Sequence, residues 1–550
     1  MAVIGLGTMG AGIAEVFARK GLPVTAVEVN QEALGAGMAA LDRSLARASS
    51  RGRLTEAGRA QIAARIRPAS ALADTADADL VIEVVPEQLA IKRQVLAELD
   101  QACRPDAIIA TNTSSLSVTA IAAGSAHPDR VIGMHFFNPA PVMRLVEVVT
   151  TVLTRPAVTR AVLALARDLG KTPVQVSDRA GFIANALLLP YLNHAARLAE
   201  TGYASLEDID AAMTGGAGLP MGPLALLDLI GLDTSLAILE ILRAEFGGSR
   251  YVPAPLLRRL AEAGRTGRKS GAGFYDYPAS PAAPAADFGD IDNEDRSAPA
   301  GTVTLIDPRP AGGAGERPGA LPIGQAGCVD PAAGRAADLA GLITAAGVAV
   351  SRDPAGPAGL TVVAVGPQGG VLDAALAAGR APDAVGLHLS GLAAPAADRK
   401  TAGAGGTATA GAGATAGRVP GVPVFAELVA TRLTSASALA AALALAGRLD
   451  LRVVRAPDRP GLLVGALLCP HLRDAVAMVA DGYATPDDID TAMTLGCGYS
   501  RGPIELLERV GYRQVLGVLQ AMYRQYGDPA FAPPPLLAEL AAAGQPLPVR

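Results

Sequence analysis

At 550 residues the chain exceeds what one hydrophobic core organises, so several domains are expected. Hydrophobic residues make up 50% and charged residues 18%, which suits a globular enzyme, and a net charge of −5 leaves no basic field for nucleic acid. No apolar run is long enough to span a membrane, and four scattered cysteines (Cys103, Cys328, Cys469, Cys497) have neither metal-ligand nor CxxC spacing.

The chain opens with VIGLGTMGAGIAEVFARKG, a short strand, a glycine loop and a helix. Gly5, Gly7 and Gly10 stand in GxGxxG spacing, with Thr8 and Met9 between the last two. The first glycine permits a tight turn, the second lets backbone approach a pyrophosphate, and the third lets helix and strand pack closely. The helix N-terminus then faces the anion. A second strand, VTAVEV (Val24–Val29), carries Glu28, placed to accept from ribose hydroxyls and to repel a 2′-phosphate. NAD is therefore favoured over NADP. A glycine turn that binds nothing is the bland alternative, and the strand–loop–helix–strand context disfavours it. Entry into this motif within a few residues of the start leaves no signal peptide to read, and a reducing cytoplasm is the simplest compartment.

Gln31–Leu54 follows as a helix-forming insert with Arg43, Arg47, Arg51 and Arg53. It reads as a solvated charged face or as a basic helix near a phosphate-bearing substrate. DLVIEVV (Asp79–Val85), AIIATNTS (Ala107–Ser114) and DRVIGMHF (Asp129–Phe136) are strand-like, with amphipathic segments between them. This alternation over residues 1–177 predicts a parallel sheet with crossover helices. TNTSSL (Thr111–Leu116) brings hydroxyls to the end of a strand, although Ser114 or Ser115 also suits a helix cap. His135 ends another strand, where open α/β sheets place ligands. Glu147 lies twelve residues on, after an Asn138–Pro139 turn that could bring the next strand back. A lone histidine is more often structural than catalytic; the dinucleotide motif in the same domain favours a general base with a carboxylate partner.

From Asp178 the pattern is helical. Asn185 sits in the otherwise apolar GFIANALLLPY, and its amide either bonds backbone or reaches across a cleft to a substrate oxygen. Residues 278–300 are Pro/Ala-rich and then acidic, a linker; residues 393–421 contain TAGAGGTATAGAGATAG, which cannot pack a core. The chain also repeats. DRAGFIANALLLPYLNHAARLAETGYASLEDIDAAMT, from Asp178, returns as DRPGLLVGALLCPHLRDAVAMVADGYATPDDIDTAMT, from Asp458. The offset of 280 residues sets Glu427 opposite Glu147 and Gly465 opposite Asn185, and AVGLH (Ala384–His388) resembles VIGMH. The expected architecture is an α/β Rossmann domain (1–177), an all-α helical domain (178–277), the linker, a reduced Rossmann-like domain (301–456) holding the insert, and a second helical domain (457–550).

GLGTMG, TNTSSL, HFFNP, LVEVV, GFIANALLLPY, GPLALLDLIGLD and RKSGAGFYDY occur in this order. Together they make the chain resemble the 3-hydroxyacyl-CoA dehydrogenases of the 3-hydroxybutyryl-CoA kind, almost continuously over residues 1–277. The whole chain is similar to long bacterial forms that include phenylacetate-pathway enzymes acting on 3-hydroxyadipyl-CoA. The resemblance implies NAD-dependent oxidation of an (S)-3-hydroxyacyl-CoA. It implies His135 as general base, Glu147 as its partner, Ser114 on the reacting oxygen, Asn185 positioning substrate and Asn138 supporting the histidine loop. It further implies Glu87, Lys92 and Lys269 as cofactor contacts and Ser44 and Arg51 as CoA contacts. Glu28 departs from the commoner aspartate but keeps the charge. The second half, without a glycine loop and with Gly465 for the asparagine, is expected to be non-catalytic. Its expected role is to cover the apolar face that smaller relatives bury by dimerising, in a monomer or a homodimer. The 6-phosphogluconate and 3-hydroxyisobutyrate dehydrogenase class fits the first twenty residues but needs a lysine where GFIANALLLPY has none. A binding scaffold without catalysis is the remaining alternative.

Overall fold

The computed structural model describes residues 1–277, 303–306, 350–351, 361–364, 384–390, 424–449, 451–545 and 547. The expected linker at 278–300 and insert at 393–421 lie outside the described residues.

Eight strands form the first sheet: β1 (Ala2–Ile4), β2 (Val24–Val27), β3 (Ile66–Ala69), β4 (Leu80–Glu83), β5 (Ile108–Thr111), β6 (Val131–Phe136), β7 (Leu145–Thr150) and β8 (Thr172–Ser177). Their order is β3-β2-β1-β4-β5-β6-β7-β8, parallel throughout except where β7 returns antiparallel to β6. β1 is central, so its glycine loop and the ends of β4, β5 and β6 open on one edge of the sheet. Gly5 takes φ +94°, a conformation that costs other residues dearly, and a Cβ on Gly10 would fall 1.8 Å from the Gly5 carbonyl oxygen.

The intervening helices are α1 (Thr8–Arg19), α2 (Gln31–Ser50), α3 (Glu56–Ala64), α4 (Leu89–Ala102), α5 (Val118–Ala122) and α6 (Pro156–Asp168). α1, α2 and α6 pack on one face with Val146, Val148 and Met134. α4 and α5 cover the other face near β1, β4 and β5. Alternation along β7 leaves Leu145, Glu147 and Val149 on that second face, where Leu145 and Val149 join the helical layer.

That layer begins with α7 (Ala184–Glu200), α8 (Leu206–Ala211), α9 (Pro223–Ile230), α10 (Leu232–Phe246) and α11 (Pro255–Glu262). The second half contributes β9 (Val303–Ile306), β10 (Val350–Ser351), β11 (Thr361–Ala364), β12 (Ala384–Ser390), β13 (Val424–Ala430) and β14 (Leu451–Pro457), ordered β10-β9-β11-β12-β13-β14. β12 and β13 are antiparallel, with His388 opposite Glu427. Its helices are α12 (Ala436–Arg448), α13 (Val464–Ala480), α14 (Pro486–Cys497), α15 (Pro503–Val510), α16 (Tyr512–Tyr526) and α17 (Pro535–Ala543).

The helices of both halves share one core, in which α7 packs against α13. The contacts are reciprocal: the Tyr203 hydroxyl donates to the Leu462 carbonyl at 2.6 Å, and the Tyr483 hydroxyl to the Ser177 carbonyl at 3.0 Å. Among the described residues, no helix is long and apolar enough to cross a membrane.

Candidate active site

His135 and Glu147 are register partners across β6 and β7, which brings residues twelve apart in sequence face to face. His135 Nδ1 lies 2.7 Å from Glu147 Oε2, and both side chains are buried. An ionised carboxylate only accepts, so Nδ1 carries the proton and Nε2 is left as a base. The second carboxylate oxygen, Oε1, accepts from the backbone N–H of Ile183 at 3.0 Å and of Ala184 at 3.1 Å. These donors open α7, so the helical layer itself fixes the carboxylate. The rings of Phe137 and Phe182 flank the imidazole, with centroids 4.5 and 5.6 Å away.

The loop after β5 meets α7. Asn185 Nδ2 donates to the Ser114 carbonyl at 3.2 Å, which ties these two residues together across the sheet–helix boundary. Glu87 organises the same loop: its Oε1 accepts from Thr113 Oγ1 at 2.6 Å and from the backbone N–H groups of Ser114 and Ser115 at 2.9 and 3.1 Å. Ser114 Oγ lies 3.3 Å from the same oxygen. Burial alone would raise the Glu87 carboxyl, but the Lys92 charge and these donors hold it below the ordinary carboxylate value.

Lys92 is buried and does not present its charge at the surface. It donates to Glu83 Oε1 at 2.8 Å and to the Val85 carbonyl at 3.2 Å, with Glu87 Oε2 at 3.4 Å. Lys92 thereby holds the Glu83–Glu87 loop, in the stretch that the resemblance implies for cofactor contact. Glu83, unremarked in the sequence, also accepts from Thr111 Oγ1 at 2.7 Å. The available signal was an acid inside DLVIEVV with a lysine nine residues later.

Asn138, in the cis Asn138–Pro139 pair, is exposed and its side chain makes no hydrogen bond among the described residues. Asn112 supports the strand end, accepting from the Phe136 N–H at 2.8 Å. Lys171 holds the turn through the carbonyls of Ala140 and Met143, at 2.6 and 2.7 Å. Lys269 ion-pairs with Asp233 at 2.6 Å on the helical layer. Ser44 and Arg51 lie on one face of α2 and at its C-terminal cap, Ser44 half-buried and Arg51 exposed.

The glycine loop fits a dinucleotide. A Cβ on Gly7 would meet no protein atom within 4 Å, so that backbone faces open space, and α1 has no side-chain N-cap to occupy the N–H groups of Thr8, Met9 and Gly10. Glu28 lies beside this loop, its Oε1 accepting from the Leu6 N–H at 2.6 Å.

Residues 1–179 match the 3-hydroxyacyl-CoA dehydrogenase NAD binding domain, and residues 181–277 and 461–546 match the 3-hydroxyacyl-CoA dehydrogenase C-terminal domain. A 3-hydroxyadipyl-CoA dehydrogenase of Escherichia coli is 31% identical over 98% of this chain and 97% of its own. The chain belongs to the 3-hydroxyacyl-CoA dehydrogenase family. A 3-hydroxybutyryl-CoA dehydrogenase of Clostridioides difficile is 46% identical over 50% of this chain and 99% of its own, so the first half alone corresponds to that whole relative. The crystal structure of an Escherichia coli 3-hydroxybutyryl-CoA dehydrogenase superimposes with a TM-score of 0.72 at 30% identity, covering 98% of both chains. Like its family, the chain is an NAD-dependent oxidoreductase built on a Rossmann-like domain followed by helices.

Proposed function

We propose that the chain oxidises an (S)-3-hydroxyacyl-CoA to the 3-oxoacyl-CoA with His135 as general base. The observation that carries this is the His135 Nδ1–Glu147 contact of 2.7 Å, which leaves Nε2 free to take the 3-hydroxyl proton. NAD+, when bound, supplies the acceptor for the hydride leaving C3. Glu147 holds the ring in one tautomer and stabilises the imidazolium that proton transfer creates. Ser114 hydrogen-bonds the reacting oxygen, and Asn185, tied to the Ser114 backbone, sets the substrate against it. Gly5, Gly7, Thr8, Met9 and Gly10 offer backbone to the pyrophosphate, and Glu28 takes the adenosine ribose. Ser44 and Arg51 face the CoA phosphates.

Residues 278–550 read as a reduced, non-catalytic copy of the first half. Three observations support this. Their sheet repeats the order of the first, with the antiparallel pair in the same place, but sets β11 directly beside β12 with no counterpart of β5 between them. Glu427 accepts from the backbone N–H groups of Leu463 and Val464, as Glu147 does from Ile183 and Ala184. Gly465 stands where the first half has Asn185. The domains are then 1–177, 178–277, the linker 278–300, 301–456 and 457–550. The chain acts in the cytoplasm, as a monomer or a homodimer.

The acyl group is a 3-hydroxybutyryl or a 3-hydroxyadipyl chain, after the relatives that match half and nearly all of this sequence. The test follows NADH formation by the purified chain with NAD+ and each of the two CoA esters, beside His135→Gln. Turnover that disappears in the variant supports the reading. A variant as active as its parent would remove His135 as the base, and the ratio between the esters chooses the acyl chain.

A further inference from the structure

The sheet face that carries Glu147 is shared between the two halves. Leu145 lies two residues before Glu147 on the same side of β7 and is fully buried. The C-terminal turn of α14, from the second half, closes on it. A Cβ on Gly496 would fall 2.5 Å from Leu145 Cδ2, 3.1 Å from Phe137 Cε1 and 3.3 Å from Phe137 Cζ. Phe137 in turn packs on the His135 ring at 4.5 Å. A continuous contact therefore runs from the second half through Phe137 to the proposed base, and through Leu145 to the strand that holds its carboxylate.

The opposite half has the matching arrangement. Gly216, which corresponds to Gly496 at the 280-residue offset, packs against Phe425, which corresponds to Leu145. A Cβ there would fall 2.6 Å from Val464 Cγ2 and 2.9 Å from Phe425 Cε1. The two halves thus make the same intrusion into each other, and the one at Gly496 abuts the His135–Glu147 pair, in the half that carries the glycine loop.

We propose that the end of α14 is a wall of the catalytic site, and that Gly496 is a positioning residue for the reaction. The absence of a side chain at 496 lets Phe137 and Leu145 sit where they hold the His135 ring against Glu147. The second half, lacking chemistry of its own, supplies this wall in cis. The inference rests on the reading of His135 as the base.

The test introduces Gly496→Ala into the full-length chain and compares it with Gly216→Ala, the same added methyl at the matching contact. Alanine is the better helix former, so a loss at 496 does not come from the helix. In Gly496→Ala, kcat is expected to fall roughly ten- to a hundred-fold, as displacements of about 1 Å commonly cause, while NADH affinity and the KM for NAD+ stay within about two-fold. Gly216→Ala is expected to keep kcat. Adding Leu145→Val to Gly496→Ala returns the displaced volume and should restore most of kcat. Unchanged kcat in a folded Gly496→Ala chain overturns the proposal, as does an equal loss in Gly216→Ala, which would mark general destabilisation. An inactive His135→Gln chain beside an unaffected Gly496→Ala chain removes this inference alone; an active His135→Gln chain removes the base reading and this inference with it.

Discussion

Glu147 does two jobs with two oxygens: one faces His135 Nδ1, and the other takes two N–H groups from the start of α7. Glutamine at this position puts an amide N–H against a donor on one side or the other, so the isosteric change is not neutral. Glu147→Gln is expected to lower kcat by about 10²–10⁴, the range for an oriented general base, while NADH binding holds. If the two residues act as one unit, His135→Gln/Glu147→Gln loses little more than His135→Gln alone. Steady-state rates of the two single variants and the double variant close this cycle, and additive losses would separate the pair. The pairing itself was legible in HFFNP and LVEVV, because a tight return after a strand makes two apolar runs neighbours. The anchoring of Oε1 was not legible, since its donors lie 36 and 37 residues further along. The support of this strand end and its turn was hidden for the same reason: Asn112 and Lys171 reach them from 24 to 31 residues away.

At the scale of elements, the ends of β4 and β5 are joined by a buried charge cluster. Lys92 and Glu83 are almost wholly excluded from water, and Glu87 shares the lysine. Removing one partner of a buried pair leaves the other charge uncompensated, at a cost of about 3–5 kcal/mol. Lys92→Met is expected to lower unfolding stability by that order and to weaken NAD+ binding through the slackened Glu87 loop. Urea denaturation checks the first effect and NADH titration the second. A variant with parental stability would show that the cluster is not held by its lysine. The elements of the first half were readable because β-branched runs and amphipathic segments alternate cleanly. β3 was missed: IRPA buries only its two end residues and offers no periodic signal. In the second half, the low-complexity stretch separates His388 from Glu427 by far more residues than divide His135 from Glu147, so the offset of the helical repeat reached Glu427 alone, and His388 was legible only from the likeness of AVGLH to VIGMH.

At the scale of the whole molecule, α7 and α13 form the seam between halves, and histidines line it. His471 is buried, packs 5.0 Å from the Tyr191 ring, and burial pushes its pKa down to about 4. In the unfolded chain it titrates near 6.5, so between these values the unfolded state binds the extra proton. Stability present above about pH 6.5 is therefore lost as pH falls towards about 4, by on the order of 3 kcal/mol for this group. His471→Phe should flatten the fall in urea midpoint between about pH 7 and about pH 5, and an equally steep fall would exonerate His471.

The same seam governs what the first half does alone. Without α13, a 1–277 chain uncovers the face of α7 around Tyr191, which packs on His471 in the full chain. α13 repeats the sequence of α7, with Leu467, Leu468, His471 and Leu472 at the positions of Leu187, Leu188, Tyr191 and Leu192, so a second α7 is the nearest substitute for it. The 1–277 chain is therefore expected to dimerise through α7. In that dimer the partner copy's Gly216 would stand where Gly496 stands now, beside Phe137 and Leu145, and would complete the site from outside. Activity and assembly should then rise and fall together. Light scattering and NADH formation across a dilution series test this: specific activity is expected to drop over the concentrations at which dimer gives way to monomer. A 1–277 monomer with the kcat of the full chain would show that neither α13 nor the wall at Gly496 is needed, and would return the second half to a purely covering role.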